Sequence, residues 1–266
     1  MFREMTLGQY YQADSLLHRL DPRVKLLGTV LFVITLFFPR SWSGMILATV
    51  FLAAVIVISK VPVSMMIKGI KPLMIIILFS VIMNLLYTKG QVVFSLGPLH
   101  ISREGIIISI YLVIRLVYLI MGSSIMTFTT TPNQLTDGLE TGLRVLNKVH
   151  IPVHEFAMMM SIALRFIPIL TEELDKIMKA QISRGVDFDS GNLMERARKL
   201  IPVLVPLFIA AIRRAGDLAL AMDARCYHGG EGRTKLHPLK YRGIDYAAYL
   251  LLAAYVIAMA VAAFVI

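Results

Sequence analysis

The sequence has few of the residue patterns with which proteins carry out chemistry. Cys226 is its single cysteine among 266 residues, which excludes an internal disulfide framework. It contains no Gly-Lys dipeptide and therefore no G-x-x-x-x-G-K-[ST] phosphate-binding loop. The glycine-rich segment 229–234 lacks the lysine and the spacing of such a loop and is read as a flexible loop. We expect this chain to hold no nucleotide site of its own.

Metal-binding and catalytic patterns are missing as well. The six histidines form no H-E-x-x-H or similar ligand set, and His154-Glu155 is a lone pair of neighbours. No Ser/His/Asp arrangement follows from the spacing of these residue types. We therefore predict no catalytic residue, no metal site and no cofactor, so that any chemistry coupled to this chain comes from a partner.

Charge is scarce, and apolar residues are abundant. Hydrophobic residues make up 57% of the chain and charged residues 17%, and a soluble domain of this size cannot bury so much apolar surface. The net charge of +10 is interpreted mainly as the lysine and arginine excess that membrane proteins carry on the cytoplasmic side. We predict an all-α, polytopic protein of the lipid bilayer with no nucleic-acid partner.

Long apolar runs predict about five transmembrane helices. The first run is short for a bilayer unless its basic flanks reach the interface. Between the third and fourth runs, residues 88–103 combine glycine, proline and β-branched residues and predict a loop or small hairpin. The five predicted spans are Val24–Phe38, Gly44–Ser59, Pro72–Tyr87, Glu104–Thr129 and Ile244–Ile266.

The distribution of basic residues predicts the orientation. With the N-terminus inside, residues 1–25, 60–71 and 130–243 are cytoplasmic and carry 23 of the 27 lysines and arginines. Three lie outside, and Arg115 lies within the fourth predicted span. Arg115 and Asn84 are the notable polar residues of the spans; each serves either a function or a structural hydrogen bond.

Residues 130–243 are too charged for spans and too apolar for an ordinary loop, and they predict three helices. Thr131 with Gln134 forms a capping-box pattern before a helix expected to end near Lys148. A longer helix is expected over Pro152–Ser183. A third follows the Asn192 cap and carries the apolar run Leu200–Ile212, which is too short to span a bilayer.

The two long helices end in similar tripeptides, Ser183-Arg184-Gly185 and Ala224-Arg225-Cys226. A small residue helps to end a helix and lets a partner approach, while arginine offers a planar fork suited to carboxylates. A basic last turn that complements the helix dipole would explain one copy. Two copies at equivalent ends also fit a paired docking device, and the pattern alone leaves both interpretations open.

Five further segments are characteristic in sequence: Asp14–Leu26, Thr130-Thr131-Pro132, Leu164–Pro168, Lys176–Phe188 and Ala221–Lys235. Together they resemble the transmembrane coupling (T) component of energy-coupling factor transporters. The family's two short signatures are usually Ala-Arg-Gly; here the first has serine for alanine and the second cysteine for glycine, which could crowd or stiffen the second contact.

The resemblance implies a complex in the bacterial cell membrane. Its expected partners are two ATPase subunits of the ATP-binding-cassette type and a separate membrane subunit that binds the substrate. The two arginine tripeptides would dock on the ATPases, which alone would hydrolyse ATP. The apolar parts of the long helices, otherwise ordinary packing surface, would contact the substrate-binding subunit. The residues expected there are Phe156, Met158, Met159, Met160, Leu204, Leu207 and Phe208.

The resemblance is greatest to the shared, vitamin-uptake type. A dedicated cobalt or nickel importer of the same family is the alternative, and a self-contained permease would need more polar residues facing one another across the spans. The expected organisation is a membrane region over residues 1–129, coupling helices over 130–243 and a last transmembrane helix over 244–266.

Overall fold

The computed structural model describes residues 10–38, 42–96, 99–143, 152–188, 190–229 and 238–264. The chain divides into two compact units, Met1–Gly138 with Leu239–Ile266, and Leu139–Pro238. The sequence-based division at residues 129/130 and 243/244 stays a prediction about function. The regular structure of the described residues is helical apart from one short β-hairpin.

The first unit contains seven complete helices in its described residues, and a 3₁₀ turn at Lys71–Leu73 joins two of them. An eighth helix, α7, begins in this unit. The bounds are α1 Leu16–Arg19, α2 Pro22–Thr35, α3 Trp42–Ser59, α4 Val63–Ile70, α5 Met74–Tyr87, α6 Arg103–Thr129, α7 Pro132–Gly142 and α10 Gly243–Phe264.

Local capping sets several of these helix starts. The Asp21 carboxylate accepts a hydrogen bond from the Arg23 N–H at 2.9 Å, and Pro22 opens α2, as the sequence predicted. The predicted capping box of α7 is present, with reciprocal bonds between Thr131 and Gln134 at 3.1 and 3.3 Å. The predicted end of this helix near Lys148 lies outside the described residues.

The predicted hairpin between the third and fourth spans is confirmed. Strand β1, Val92–Leu96, pairs antiparallel with β2, Leu99–Ser102, with Leu96 opposite Leu99. Ser102 then caps α6, since its hydroxyl accepts a hydrogen bond from the Gly105 N–H at 3.0 Å.

Among the described residues, five helical segments are long and apolar enough to cross a membrane, which agrees with the predicted number. Four overlap predicted spans: Trp42–Ser59, Val63–Tyr87, Arg103–Thr129 and Gly243–Ala263. The fifth differs. It is Val153–Ser183, which the sequence predicts to be cytoplasmic, and the expected first span is not among the five.

The expected first span, Val24–Phe38, forms the 14-residue helix α2, which ends at Thr35. At 1.5 Å per residue it is about 21 Å long, shorter than the roughly 30 Å hydrocarbon core. Pro39 follows closely in the sequence and has no N–H with which to continue a helix. At this helix end, the Thr35 hydroxyl lies within hydrogen-bond distance of the Phe32 carbonyl, at 2.9 Å, and of the Tyr255 hydroxyl, at 3.1 Å.

The core of the first unit lies where α2, α3, α4, α6 and α10 meet. Phe32, Leu36, Met66 and Met259 are almost fully buried there. Phe51 of α3 stacks on Tyr255 of α10 with ring centroids 4.1 Å apart.

The second unit holds two long helices, each of 31 residues. They are α8, Val153–Ser183, and α9, Leu193–Asp223. Asn192 and Glu195 form the predicted capping box at the start of α9. Both helices continue through internal prolines, at Pro168 in α8 and at Pro202 and Pro206 in α9.

Candidate functional site

The two arginine tripeptides form the same kind of helix end. After α8, the Gly185 N–H donates to the Ile182 carbonyl at 2.9 Å, and the Val186 N–H donates to the Gln181 carbonyl at 3.1 Å. These two bonds make a Schellman motif, in which the residue after the arginine takes the left-handed conformation.

The end of α9 repeats this pattern 41 residues later. The Cys226 N–H donates to the Asp223 carbonyl at 2.8 Å, and the Tyr227 N–H donates to the Met222 carbonyl at 3.1 Å. Arg225 therefore occupies the same position in its turn as Arg184 does in the first. The sequence suggested equivalent ends, and the backbone hydrogen bonds are equivalent.

The residues that follow the arginines carry the conformational requirement of the turn. Gly185 has a φ of 89° and Cys226 a φ of 54°, both in the left-handed region. Glycine adopts this region without a Cβ penalty, whereas a residue with a side chain costs about 1–2 kcal/mol. The second turn therefore forms in spite of its cysteine, and Cys226 is exposed.

Both arginines are available to a partner. Arg184 and Arg225 are exposed, as are the flanking Ser183 and Ala224. Within the described parts of the chain, no hydrogen bond or ion pair involves either guanidinium. Each is thus a free planar donor group at the tip of a long helix.

The two long helices of the second unit pack antiparallel. The Gln181 side chain near the end of α8 donates to the Pro202 carbonyl near the start of α9, at 3.2 Å. Pro206 has no N–H, so the Pro202 carbonyl lacks its usual helical donor and is free to accept this bond. A cavity of about 310 Å³ lies between facing apolar side chains of the two helices, with Phe166 on α8 and Leu218 on α9 among its lining residues.

An ion pair continues this antiparallel register. Arg214 of α9 and Glu173 of α8 form a salt bridge with Nη2 and Oε2 3.0 Å apart. Since Gln181 lies at Pro202, Arg184 sits near the start of α9, whereas Arg225 follows its end. Counting 1.5 Å per residue from Pro202 to Arg225, the two arginines are about 35 Å apart.

The predicted apolar contact residues are mostly exposed. Phe156, Met159 and Met160 of α8 have 52–55% of their surface exposed. On α9, Leu204 and Phe208 are 55% and 68% exposed. Met158 and Leu207 are half-buried and contribute less to an open surface.

The exposed apolar stripe on α9 is longer than the residues selected from the sequence. Its members recur at helical i, i+3, i+4, i+7, i+8 and i+11 positions and are all more than half exposed, so they share one face. The signal was present in the 3.6-residue period of the apolar run 200–212. The stripe consists of Ile201, Leu204, Val205, Phe208, Ile209 and Ile212.

The polar residues of the spans have local partners. The Asn84 amide donates to the Ser80 carbonyl one turn earlier at 3.0 Å, which is the structural role considered for it. The Arg115 guanidinium lies 5.6 Å from the centroid of the Phe37 ring, and its Nε has no hydrogen-bond partner in the part of the chain described. The two residues lie in different helices, α5 and α6.

A buried polar cluster joins the N-terminal segment to α10. One Asp245 carboxylate oxygen accepts the Asp21 N–H at 2.8 Å, and the other accepts the Arg242 N–H at 2.7 Å. Asp245 is 1% exposed. The second bond resembles half of a capping box, in which an acidic side chain in the first turn reaches back to the cap N–H. Sequence reasoning did not select Asp245.

The described residues contain no group of three or more histidine, cysteine, aspartate or glutamate side chains that could hold a metal ion. The candidate site is therefore a set of exposed surfaces. It comprises two arginine-bearing helix ends and the apolar faces of the helices that carry them. Surfaces of this kind suit recognition of other proteins.

The apolar helices define a multi-pass membrane protein, and its exposed surfaces are of the kind that suits contact with other proteins. The family model described as "CbiQ: Cobalt transport protein" matches residues 13–236. The energy-coupling factor transporter transmembrane protein EcfT of Thermosediminibacter oceani is 50% identical over 248 residues, covering 93% of this chain and 94% of the relative.

Relatives from other organisms carry the same name. EcfT of Ruminiclostridium cellulolyticum is 51% identical over 245 residues, covering 92% of each chain. EcfT of Bacillus subtilis is 46% identical over 246 residues, covering 92% of this chain and 93% of the relative. This chain therefore belongs to the CbiQ family and is a transmembrane component of an energy-coupling factor transporter.

Proposed function

We propose that this chain is the coupling subunit of an ATP-driven vitamin importer in the bacterial cell membrane. It joins two ATPase subunits of the ATP-binding-cassette type to a separate membrane subunit that binds the vitamin. Its own helices transmit movement between these partners. The chain itself hydrolyses nothing, and its partners supply both ATP hydrolysis and the substrate site.

The observation that carries this proposal is the pair of equivalent helix ends. Arg184 and Arg225 share the same turn geometry, are both exposed, and are free of intramolecular ion pairs among the described residues. A separation of about 35 Å is too large for both to enter one side-chain pocket. Two separate, similar grooves on two ATPase subunits would match it.

The connection between α8 and α9 explains how movement would be transmitted. The Gln181–Pro202 hydrogen bond and the Arg214–Glu173 ion pair hold the helices together at two levels. A displacement of either arginine end would therefore move both helices. Phe208 lies 17 residues from Arg225 on the same helix, or about 26 Å.

The apolar stripe on α9 and the exposed Phe156, Met159 and Met160 on α8 form the surface that we assign to the substrate-binding subunit. Exposed apolar patches on this scale mark sites of protein or membrane contact. Methionine-rich surfaces repack readily, which suits a subunit shared among several substrate-binding partners.

Co-purification and uptake test the role of the arginine ends. Arg184→Ala should lower recovery of the ATPase subunits with this chain and lower vitamin uptake into vesicles that contain the whole complex. Arg184→Lys should restore both only in part, because lysine keeps the charge but loses the two-pronged donor geometry.

Arg213→Ala is the matched control, since Arg213 is an exposed arginine of α9 remote from either helix end. It should leave ATPase recovery unchanged. Equal losses from Arg184→Ala and Arg213→Ala would mean that general positive charge, and not the helix end, recruits the ATPases. Recovery of a metal-binding membrane subunit in place of a vitamin-binding one would reject the vitamin assignment alone.

A further inference from the structure

A cavity of about 310 Å³ lies in the first unit among α1, α2, α3, α6 and α10. Phe32, Leu52 and Ile125 form its closed side and are at most 5% exposed. Leu16 and Leu251 also line it but are 57% and 63% exposed, so the cavity opens to the molecular surface. Three of the surrounding helices are long and apolar enough to span a membrane.

The few polar groups of the cavity wall already have partners. The Lys25 ammonium donates to the Thr129 carbonyl at 2.8 Å and to the His18 carbonyl at 3.2 Å. The Thr29 hydroxyl donates to the Lys25 carbonyl at 2.9 Å, and the Thr129 hydroxyl to the Ile125 carbonyl at 2.8 Å. A buried water needs two to four polar partners, so this wall suits an apolar occupant better than water.

The size of the cavity sets what it can hold. An apolar cavity of about 150 Å³ accepts a molecule as small as benzene, so this one has room for a stretch of hydrocarbon chain.

A basic residue lies at the surface near one end of this cavity. Lys60 follows α3 with a left-handed φ of 56° and is exposed, two residues beyond the cavity-lining Ile58. A hydrogen bond from Arg19 lowers the pKa of Asp14, and the positive charge of Lys60 also lowers it. Arg19 is held by Asp14 at 2.8 Å, whereas no hydrogen bond or ion pair to the Lys60 ammonium occurs in the described ranges.

We propose that this cavity binds one phospholipid of the bilayer, with an acyl chain between α2, α3, α6 and α10 and its phosphate against Lys60. The apolar wall and the cavity volume select the chain, and the exposed ammonium selects an anionic headgroup. This site is separate from the helix ends and apolar stripe of the second unit, so it stands independently of the proposed coupling role.

Lipid retention by the full-length chain tests the site. The protein is reconstituted with equal amounts of dioleoyl phosphatidylglycerol and dioleoyl phosphatidylcholine, re-extracted in mild detergent, and examined by native mass spectrometry. The wild type should retain one lipid, enriched in phosphatidylglycerol. Ala248→Phe, which fills the cavity from α10, should lower its occupancy at least tenfold, and Lys60→Gln should abolish the headgroup preference while keeping a lipid.

Ala254→Phe is the matched control, because Ala254 is an exposed residue of α10 outside the cavity lining. It should retain the lipid as the wild type does. Equal retention by Ala248→Phe and the wild type would overturn the proposal, and so would the absence of any retained lipid on the wild type. Loss of partner assembly with unchanged lipid retention in Ala248→Phe would mean that the cavity serves a protein contact.

A fluorescence measurement leaves the cavity unfilled, so its result does not depend on correct folding of Ala248→Phe. Phe51→Trp in a Trp42→Phe background places the only tryptophan at the cavity wall. Brominated phosphatidylglycerol should quench it saturably, at one lipid per protein. Phe79→Trp, on the exposed face of α5, should instead be quenched in proportion to the lipid content of the micelle. Proportional quenching at both positions would contradict a bound lipid.

Discussion

Adding a methyl group at Gly185 should loosen the end of α8. Gly185 has a φ of 89°, and a Cβ built there has nothing within 4 Å, so the effect of Gly185→Ala is conformational and not steric. An alanine in the left-handed region costs about 1–2 kcal/mol. The two hydrogen bonds that close the turn, from the Gly185 and Val186 N–H groups, should therefore open roughly five- to thirtyfold more often.

Gly216→Ala provides a control with the opposite expected sign. A Cβ at Gly216 also meets nothing within 4 Å, but this residue lies inside α9, where alanine is about 0.5–1 kcal/mol more favourable than glycine. The chemical change is the same in both variants, and only the backbone conformation differs.

Hydrogen–deuterium exchange of the purified chain measures both effects. Exchange should accelerate at the end of α8 in Gly185→Ala and should slow or stay constant near position 216 in Gly216→Ala. Unchanged exchange at residues 185 and 186 in Gly185→Ala would refute the left-handed turn as the element that fixes Arg184. A change of the same sign in both variants would refute the conformational argument.

Three further predictions concern topology and packing. Ser190→Cys, in a cysteine-free Cys226→Gly background, should react with an impermeant reagent only from the cytoplasmic side, and labelling from outside would mean that the predicted orientation is wrong. Asp245→Ala leaves two backbone N–H groups without an acceptor, at about 1–3 kcal/mol each, so the midpoint temperature of thermal unfolding in detergent should fall. An unchanged midpoint would contradict a stabilising role of this cluster. Gln181→Leu leaves the Pro202 carbonyl unpaired and should speed proteolysis between α8 and α9. An unchanged rate of proteolysis would mean that this bond does not hold the helices together.

Local signals in the sequence predicted local structure well. The Asp21-Pro22 start, the Thr131–Gln134 box and the Asn192–Glu195 box were all found where the sequence placed them. Each depends on residues within one turn of the helix start, so spacing alone is sufficient. The equivalence of the two arginine turns could be predicted for the same reason.

Features that depend on distant residues could not be predicted. Asp245 contacts the N–H of a residue 224 positions away, and nothing near it in the sequence indicates that partner. The Gln181–Pro202 bond joins two helices through a carbonyl freed by a proline, and the helix pairing had to be known first.

The exchange of one predicted span for another has a similar origin. Hydropathy alone favoured Val24–Phe38, but the helix ends at Thr35 and is too short. The charged far half of Val153–Ser183 favoured a cytoplasmic placement, although an 18-residue stretch of this helix is apolar enough to cross a membrane by composition. Ser190 is cytoplasmic whether or not α8 replaces α2 as a span, so Asn133→Cys in the same cysteine-free background distinguishes the two arrangements. It should be labelled from the cytoplasmic side if α8 lies along the membrane face and from outside if α8 crosses the membrane.

The central claim is that Arg184 and Arg225 each dock one ATPase subunit, and the stoichiometry of the assembled complex tests it most directly. Removing one partner of a buried charged pair costs about 2–5 kcal/mol, or roughly thirtyfold to several thousandfold in affinity. Native mass spectrometry at a fixed subunit concentration should find two ATPase subunits on the wild type, one on Arg184→Ala or Arg225→Ala, and none on the double variant. Two ATPase subunits retained on the double variant would contradict the account.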